Sequence, residues 1–273
     1  LKSQGRLPKI AMFGGSVFLF PHPVKELADF LKGHDMHINY DAAHVAGLIA
    51  GGKFQDPLRE GTDTMTMSTH KTLFGPQGGL VLGFEKHAEP IKKAMFPGLT
   101  SSHHIHHMGA KAVAFAEALE FGKDYAEQTI KNAKALASEL NNVGFKVLGE
   151  KRGYTESHQT VVNVLDYGDG GTIEADLEKA NIIVNRQLIP GDLKANRHYM
   201  HPGGIRLGTS EITRLGMKES EMKEIASLLK QVVVDKKDAG EIAARVKEFK
   251  TDFKKTQYCF DNKLGAYEYV KLR

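Results

Sequence analysis

The sequence has few of the features that mark secreted, membrane or nucleic-acid-binding proteins. Its 273 residues include one cysteine, Cys259, which excludes an internal disulfide framework. No apolar run approaches the roughly 18 residues that a bilayer-spanning helix needs, and the amino end lacks a signal-peptide core. The 37 basic and 33 acidic residues give a net charge of +4 and are spread along the chain, so binding to nucleic acid is not indicated. These absences predict a soluble cytoplasmic protein that binds neither membrane nor nucleic acid.

The amino-terminal part of the chain alternates strand and helix patterns. Residues 9–13 predict a short buried strand, the apolar spacing from 24 to 31 predicts a helix, and 37–41 predicts a second strand. A strand, a helix and a strand in this order predict a parallel crossover, with Ser16 and Asp41 at the carboxyl ends of their strands. Open α/β sheets bind their ligands at that edge.

Further strands are predicted at 63–67 and 79–84, and helices at 109–121 and about 124–142. Gly122, between these two helices, predicts a domain boundary. The two domains predicted from it are 1–122, a partial large domain, and 123–273, a smaller domain.

The carboxyl-terminal part also combines both kinds of element. Strands are predicted at 160–165 and 182–184, and Thr172 is predicted to cap a helix. Apolar stripes predict two final helices, at about 222–232 and 242–253.

One lysine has an unusual setting. Lys71, in the stretch STHKTLFGPQGG, precedes a loop with three glycines and a proline, and Asp41 lies thirty positions earlier (71 minus 41). Pyridoxal phosphate needs such a pair, because a carboxylate keeps its ring nitrogen protonated and a partly desolvated lysine amine holds its aldehyde carbon as an imine. Many α/β proteins have an aspartate and a lysine at this spacing, so a purely structural role stays open.

Four blocks of sequence, in order, resemble a known family: YDAAHVAGLIAGGKFQDPLREGTDTMTMSTHKTLFGPQGG, FPGLTSSHHIHHMGAKAVA, EADLEKANIIVNRQLIPGD and GGIRLGTSEITRLGM. They closely resemble serine hydroxymethyltransferase, a fold-type I pyridoxal phosphate enzyme. The resemblance implies an α/β fold with an incomplete seven-stranded, mixed and mostly parallel sheet, plus a smaller carboxyl-terminal α/β domain. It also implies a homodimer, because the family shares a phosphate loop between subunits.

The resemblance assigns roles to the residues around Lys71. It makes Lys71 the lysine that binds the cofactor and Asp41 the partner of the pyridinium nitrogen. Ala43 is expected to pack against one ring face, and His44 and Ser16 to lie near the phenolic oxygen. From the residues alone, Ser16 is equally a loop hydroxyl and His44 a half-buried histidine with ordinary partners.

Three further residues receive roles in the same way. Thr69 and His70 resemble the family residues that orient the imine and approach the phosphate. Arg206, in GGIRLGT, matches the arginine that binds the amino-acid carboxylate, to which a guanidinium donates two parallel hydrogen bonds. A surface salt bridge is the alternative for Arg206.

The sequence departs from the bacterial pattern of the family at two places. Ser101 and Ser102 replace paired glycines that reach the phosphate of the neighbouring subunit, and the serines retain amide and hydroxyl donors. The histidines that follow, His103 to His107, have no nearby carboxylates or cysteines, so no metal site is predicted. Gln187 replaces an asparagine near the pterin, and its longer side chain suits a different one-carbon carrier, such as a modified pterin.

The family also has a substantial segment before the block that begins at Gly14, and this segment is not in the sequence. We therefore expect the chain to be a carboxyl-terminal portion of a serine hydroxymethyltransferase, which transfers the serine hydroxymethyl carbon to a reduced pterin and leaves glycine. Two alternatives stay open. One is a pterin-independent aldolase that acts on β-hydroxy amino acids, and the other is a noncatalytic fragment of the fold.

Overall fold

The computed structural model describes residues 7–261 and 265–266. The chain divides into two compact units, Leu1–Ala126 and Glu127–Arg273, and each unit contains its own sheet. Among the described residues, no helix is long and apolar enough to cross a bilayer.

The first unit contains a four-stranded sheet in the order β1-β2-β3-β4. These strands are β1 (Ile10–Gly14), β2 (His37–Asp41), β3 (Thr64–His70) and β4 (Phe74–Gly83). The first three are parallel, and β4 pairs antiparallel with β3. Strands were predicted in all four places. The prediction that the first strand is buried is wrong, because Ile10 and Met12 on β1 are exposed. The parallel pairing of the first two strands is confirmed. The carboxyl ends of three parallel strands therefore meet at one edge of the sheet.

Short helices connect these strands. They are α1 (Val24–Lys32), α2 (Ala46–Ala50), α3 (Pro57–Glu60) and, after β4, α4 (Ala88–Lys93). Helix α1 buries the side chains of Val24 and Ala28 and ends at Gly33. Strand β2 buries alternate residues, Ile38 and Tyr40, as expected for a strand with one face on the core.

A single long helix, α5 (Ile105–Asn142), replaces the two helices that the sequence predicts. Gly122 lies inside it and is buried, so the prediction of a break at this glycine is wrong. A Cβ atom on Gly51 would lie 2.4 Å from the carbonyl oxygen of Gly122. The absence of a side chain at Gly51 therefore allows the end of α2 to approach α5 closely.

The second unit contains an antiparallel four-stranded sheet in the order β5-β6-β8-β7. Its strands are β5 (Lys146–Val147), β6 (Gln159–Asn163), β7 (Asn185–Gln187) and β8 (Gly204–Gly208). Its helices, besides the end of α5, are α6 (Gly170–Lys179), α7 (Ser210–Arg214), α8 (Glu219–Val233) and α9 (Ala239–Phe249). The apolar stripes predicted for the last two helices form part of the core of this unit.

Two local predictions in this unit are wrong. Asp169, not Thr172, caps α6, because its carboxylate accepts hydrogen bonds from two backbone N–H groups of the first turn. Residues 182–184 form no strand, since Asn181 adopts a positive φ of 59° and the N–H of Ile182 donates to the carbonyl of Leu177. Residues 182–184 therefore belong to the hydrogen-bonded end of α6 and the connection after it. The strand begins only at Asn185.

Candidate active site

The register of the first sheet places three loops side by side. Gly14 is opposite Asp41, and Asp41 is opposite Thr66. Ser16 follows the first strand by two residues, and Lys71 follows the third strand directly. The sheet therefore brings the segments of Ser16, Asp41 and Lys71 to one edge. The sequence predicts this placement for Ser16 and Asp41.

Gly14 permits the closest approach at this edge. Its φ is +93°, and a Cβ atom at this position would lie 2.2 Å from the carbonyl oxygen of Asp41. Any other residue would displace the end of β1 from the end of β2. The glycine is therefore required by both its backbone conformation and its neighbour.

The loop after β2 orients the carboxylate of Asp41. The Oδ1 atom of Asp41 accepts a hydrogen bond from the N–H of Ala43 at 2.9 Å. This bond across two residues is an Asx turn, which fixes the side-chain direction of the aspartate. Asp41 and Ala43 are both half-buried, so this edge is partly shielded from water.

The amine of Lys71 contacts the loop that follows Asp41. Its Nζ lies 3.3 Å from Nε2 of His44. A charged lysine can only donate, so Nε2 accepts when the ammonium is present, and the proton of a neutral His44 ring is then on Nδ1. Lys71 is exposed and His44 is half-buried. The pairing places an amine, an imidazole and, three residues before it, a carboxylate along one strip of the edge.

Thr72 holds these two loops together. Its hydroxyl donates to the carbonyl of His44 at 2.8 Å and accepts from the N–H of Gly47 at 3.0 Å. A Cβ atom on Gly47 would lie 2.1 Å from the Thr72 carbonyl oxygen. Neither residue was predicted from the sequence to belong to the site. The available signal was a hydroxyl residue next to the lysine and a small residue near the start of a helix.

Thr69 and His70 shape the loop that follows Lys71. Thr69 is fully buried, and its hydroxyl donates to the carbonyl of Pro76 at 2.7 Å. His70 is exposed, and its Nδ1 accepts from the N–H of Gly78 at 3.3 Å. Both side chains therefore brace the first half of β4, the glycine-rich segment that the sequence predicts as a loop and that the structure shows as a strand. Their predicted contacts with a cofactor stay predictions.

Ser101 and Ser102 lie in an exposed loop before α5. They line an open cleft of about 1100 Å³ together with Gly79, Phe96 and Lys111. The described contacts do not connect either serine to Lys71 or Asp41. Their role at a cofactor phosphate is therefore not visible within one chain.

The neighbouring histidines form a compact exposed cluster. The rings of His104, His106 and His107 have centroids 4.4 to 5.5 Å apart. Loss of water, followed by the charges of His106 and His104, lowers the pKa of His107. Within residues 7–261 and 265–266, no group of three or more histidine, cysteine or acidic side chains has an arrangement that could hold a metal ion.

Arg206 lies in the second unit, in the centre of β8. It is opposite Val161 on one side and Asn185 on the other. Its Nη2 donates to Oδ1 of Asn185 at 3.1 Å, and burial lowers the pKa of its guanidinium. Gln187, two residues beyond Asn185, donates from Nε2 to the carbonyl of Leu188 at 3.0 Å.

A family model described as serine hydroxymethyltransferase matches residues 2–229. This chain belongs to the serine hydroxymethyltransferase family. A serine hydroxymethyltransferase from Nitrosopumilus maritimus is 78% identical over 273 residues, which is 100% of this chain and 62% of that protein. Another, from Pyrococcus furiosus, is 53% identical over 270 residues, which cover 96% of this chain and 62% of that protein. The chain therefore spans less than two thirds of the length of these family members.

A solved structure also resembles this member of the serine hydroxymethyltransferase family. The L-threonine transaldolase from Pseudomonas fluorescens, in its internal aldimine state, matches with a TM-score of 0.83 and 34% identity. The match covers 94% of this chain and 58% of that one. The prediction of a partial fold-type I pyridoxal phosphate transferase fold is confirmed.

Proposed function

We propose that this chain is part of a pyridoxal phosphate-dependent serine hydroxymethyltransferase, which converts serine to glycine and transfers one carbon to a reduced pterin. The observation that carries the proposal is the contact of the Lys71 amine with His44, at a sheet edge that also holds Asp41. The membership of the family supports the same reaction. The cytoplasmic location stays a prediction.

The residues of the edge suit the cofactor. When bound, pyridoxal phosphate supplies an electron sink next to the substrate α-carbon. In the proposed site, Lys71 attaches the cofactor, and Asp41 keeps the proton on the ring nitrogen. Ala43 would pack against the ring, while Ser16 and His44 would donate or accept hydrogen bonds at the phenolic oxygen. Thr69 and His70 would hold the loop beside the phosphate.

Substrate and subunit contacts complete the proposal. Arg206 would bind the substrate carboxylate, because a guanidinium keeps its charge even when burial lowers its pKa. In a homodimer, Ser101 and Ser102 would donate amide and hydroxyl hydrogen bonds to the cofactor phosphate of the partner. Both serines are exposed, as this role requires.

The attachment of the cofactor at Lys71 is the first test. Mixing the protein with pyridoxal phosphate should produce the yellow absorbance of a cofactor bound to a lysine amine, and glycine should change that spectrum. Lys71→Ala should abolish both signals. Lys92→Ala is the matched control, since the Lys92 side chain is 74% exposed and pairs only locally with Glu89. An unchanged spectrum in Lys71→Ala would overturn the proposed site.

The carrier is a separate part of the proposal. Gln187 is longer than the asparagine of the bacterial pattern, so we propose a modified pterin as the preferred carrier. Steady-state rates with folate-type and methanopterin-type carriers should differ, and Gln187→Asn should reduce the difference. Equal rates with both carriers would remove the reason to invoke Gln187.

A pterin-independent aldolase is the second candidate. The structural likeness to an L-threonine transaldolase favours it. The two functions differ in one measurement, the dependence of serine cleavage on added pterin. Cleavage at the same rate without a pterin would support the aldolase.

A further inference from the structure

The loop between β1 and α1 carries Ser16 and is closed by His22. The N–H of Gly14 donates to Nδ1 of His22 at 3.2 Å, across eight positions of the chain. Between them, Phe18 is fully buried, and its ring centroid lies 4.9 Å from that of His22. The buried ring of Phe18 and the hydrogen bond between Gly14 and His22 therefore fix the path of the loop that carries Ser16.

The closure requires one protonation state of His22. A backbone N–H can only donate, so Nδ1 must be unprotonated and the neutral ring must carry its proton on Nε2. A doubly protonated ring would direct an N–H toward the N–H of Gly14. Burial lowers the pKa of His22 below its ordinary value, which favours the neutral ring near neutral pH.

Gln55 holds the backbone of His22 in place. Its Oε1 accepts from the His22 N–H at 2.8 Å and from the Tyr40 hydroxyl at 2.7 Å. Its Nε2 donates to the His22 carbonyl at 3.0 Å and to Oε2 of Glu60 at 2.6 Å. All four hydrogen-bonding positions of this buried amide are used, so its orientation is fixed.

The titratable groups around His22 belong to other elements. Tyr40, on β2, faces the ring edge-on at a centroid distance of 6.2 Å, and Glu60, on α3, reaches it through Gln55. Burial, together with the charges of Glu60 and Asp41, raises the pKa of Tyr40. The tyrosine therefore stays a protonated donor to Gln55 when His22 titrates.

We propose that His22 is a positioning residue for the proposed cofactor site, and that its unprotonated Nδ1 holds the Gly14–Gly15–Ser16 turn against the end of β2. This inference rests on the proposed function. Gly14 is the residue whose backbone meets the Asp41 carbonyl. Loss of the His22 bond therefore loosens the turn beside Asp41 and moves Ser16, and protonation of His22 has the same effect.

The first test measures the amide of Gly14 in the cofactor-free protein. Its hydrogen exchange, divided by the intrinsic rate, is followed by NMR at two pH values, one above the ordinary histidine pKa of about 6.5 and one well below it, because burial lowers the pKa of His22. In the wild type, protection should be at least about fivefold lower at the lower pH, which is the factor of one ordinary net hydrogen bond. His22→Asn places an acceptor at the Nδ1 position that does not titrate, so protection should persist at both pH values. His22→Ala, which has no acceptor at this position, should lack the protection of the Gly14 amide at both pH values.

The second test measures the dissociation constant of pyridoxal phosphate. Wild type and His22→Asn should bind alike at the higher pH. At the lower pH the wild type should bind at least about fivefold more weakly than His22→Asn. His34→Asn is the matched control, because the His34 ring contacts the carbonyl of Phe30 at the far end of α1, and it should behave as the wild type.

The outcomes separate this inference from the proposed function. If the cofactor attaches at Lys71 but Gly14 protection is the same in wild type, His22→Asn and His22→Ala, only the positioning role is overturned. An equal response of wild type and His22→Asn to pH overturns it as well. If the cofactor does not attach at Lys71, the proposed function fails and the positioning role fails with it, whatever the exchange of Gly14 shows.

Discussion

At Gly47, the two loops of the candidate site approach each other too closely to leave room for a side chain. An alanine Cβ would lie 2.1 Å from the carbonyl oxygen of Thr72 and 2.7 Å from the nitrogen of Leu73. Both contacts are with backbone, so no side-chain rotation relieves them. We expect Gly47→Ala to lower the free energy of unfolding by about 2 to 4 kcal/mol. About 1 to 3 comes from overpacking, and about 1 comes from weakening the hydrogen bond of the Gly47 N–H to Thr72.

Urea unfolding of the Gly47→Ala variant, compared with the wild type, measures this loss. Gly109→Ala is the control, because a Cβ atom at Gly109 meets nothing within 4 Å and alanine is the better helix former by about 1 kcal/mol. The same substitution should therefore destabilise at position 47 and not at position 109. The Gly47 variant should also bind pyridoxal phosphate more weakly, since the loops of His44 and Lys71 separate. A Gly47 variant as stable as the wild type would refute the reasoning.

Two carboxylates give pH predictions. Burial alone raises the pKa of Asp63, but the N–H of Ile38 and the charge of His37 bring this pKa below 3.8. The ionised Asp63 therefore stabilises the folded chain above pH 3.8, and this contribution is lost as the pH falls further. Asp63→Asn should cost about 2 kcal/mol at neutral pH and flatten the acid limb of urea unfolding. Loss of water also raises the pKa of Asp169, yet hydrogen bonds such as those from Thr172 lower it to about 2, so its contribution is lost between pH 3.8 and about 2. Asp169→Ala should cost about 1 kcal/mol at neutral pH by loss of the helix cap, and an unchanged unfolding midpoint would contradict that role.

The placement of the candidate site was predictable because it follows from local patterns. Short apolar strands separated by a helix specify parallel pairing, and parallel pairing places the residues after each strand at one edge. Ser16 and Asp41 were assigned to that edge from the sequence alone, whereas the placement of Lys71 follows from the parallel pairing of β3 with β2 in the structure. The detailed contacts of these residues could not be assigned in this way, and the resemblance to the family supplied only their expected roles at the cofactor.

The supporting residues could not be predicted, because their partners are distant in sequence. Thr72 bonds to Gly47 across 25 positions, and Gln55 bonds to His22 across 33. No periodicity connects such pairs. A glutamine in a loop and a threonine after a lysine are equally compatible with exposed positions, and only the folded chain shows that both are buried.

Local competition explains the errors in the elements. Asp169 and Thr172 are both good capping residues, but the carboxylate of Asp169 reaches two amides of the first turn. The apolar run 182–184 has the composition of a strand, yet it directly follows a helix whose end requires a left-handed residue, Asn181. A glycine often marks a helix break, but Gly122 is buried inside α5, where the backbone of Gly51 approaches it closely. In each case a tertiary or capping contact overrode propensity.

The contact between Lys71 and His44 connects this architecture with reactivity. A lysine must lose its proton before its amine can attack an aldehyde, and two cations 3.3 Å apart would repel. When the Lys71 ammonium donates this hydrogen bond, Nε2 of a neutral His44 ring is the acceptor. Thr72 fixes the backbone of His44 through the carbonyl, so the distance between amine and imidazole depends on a hydroxyl that touches neither reacting atom. The position of the Lys71 amine is thus connected to the loop that begins at Asp41, although thirty residues separate Asp41 from Lys71 (71 minus 41).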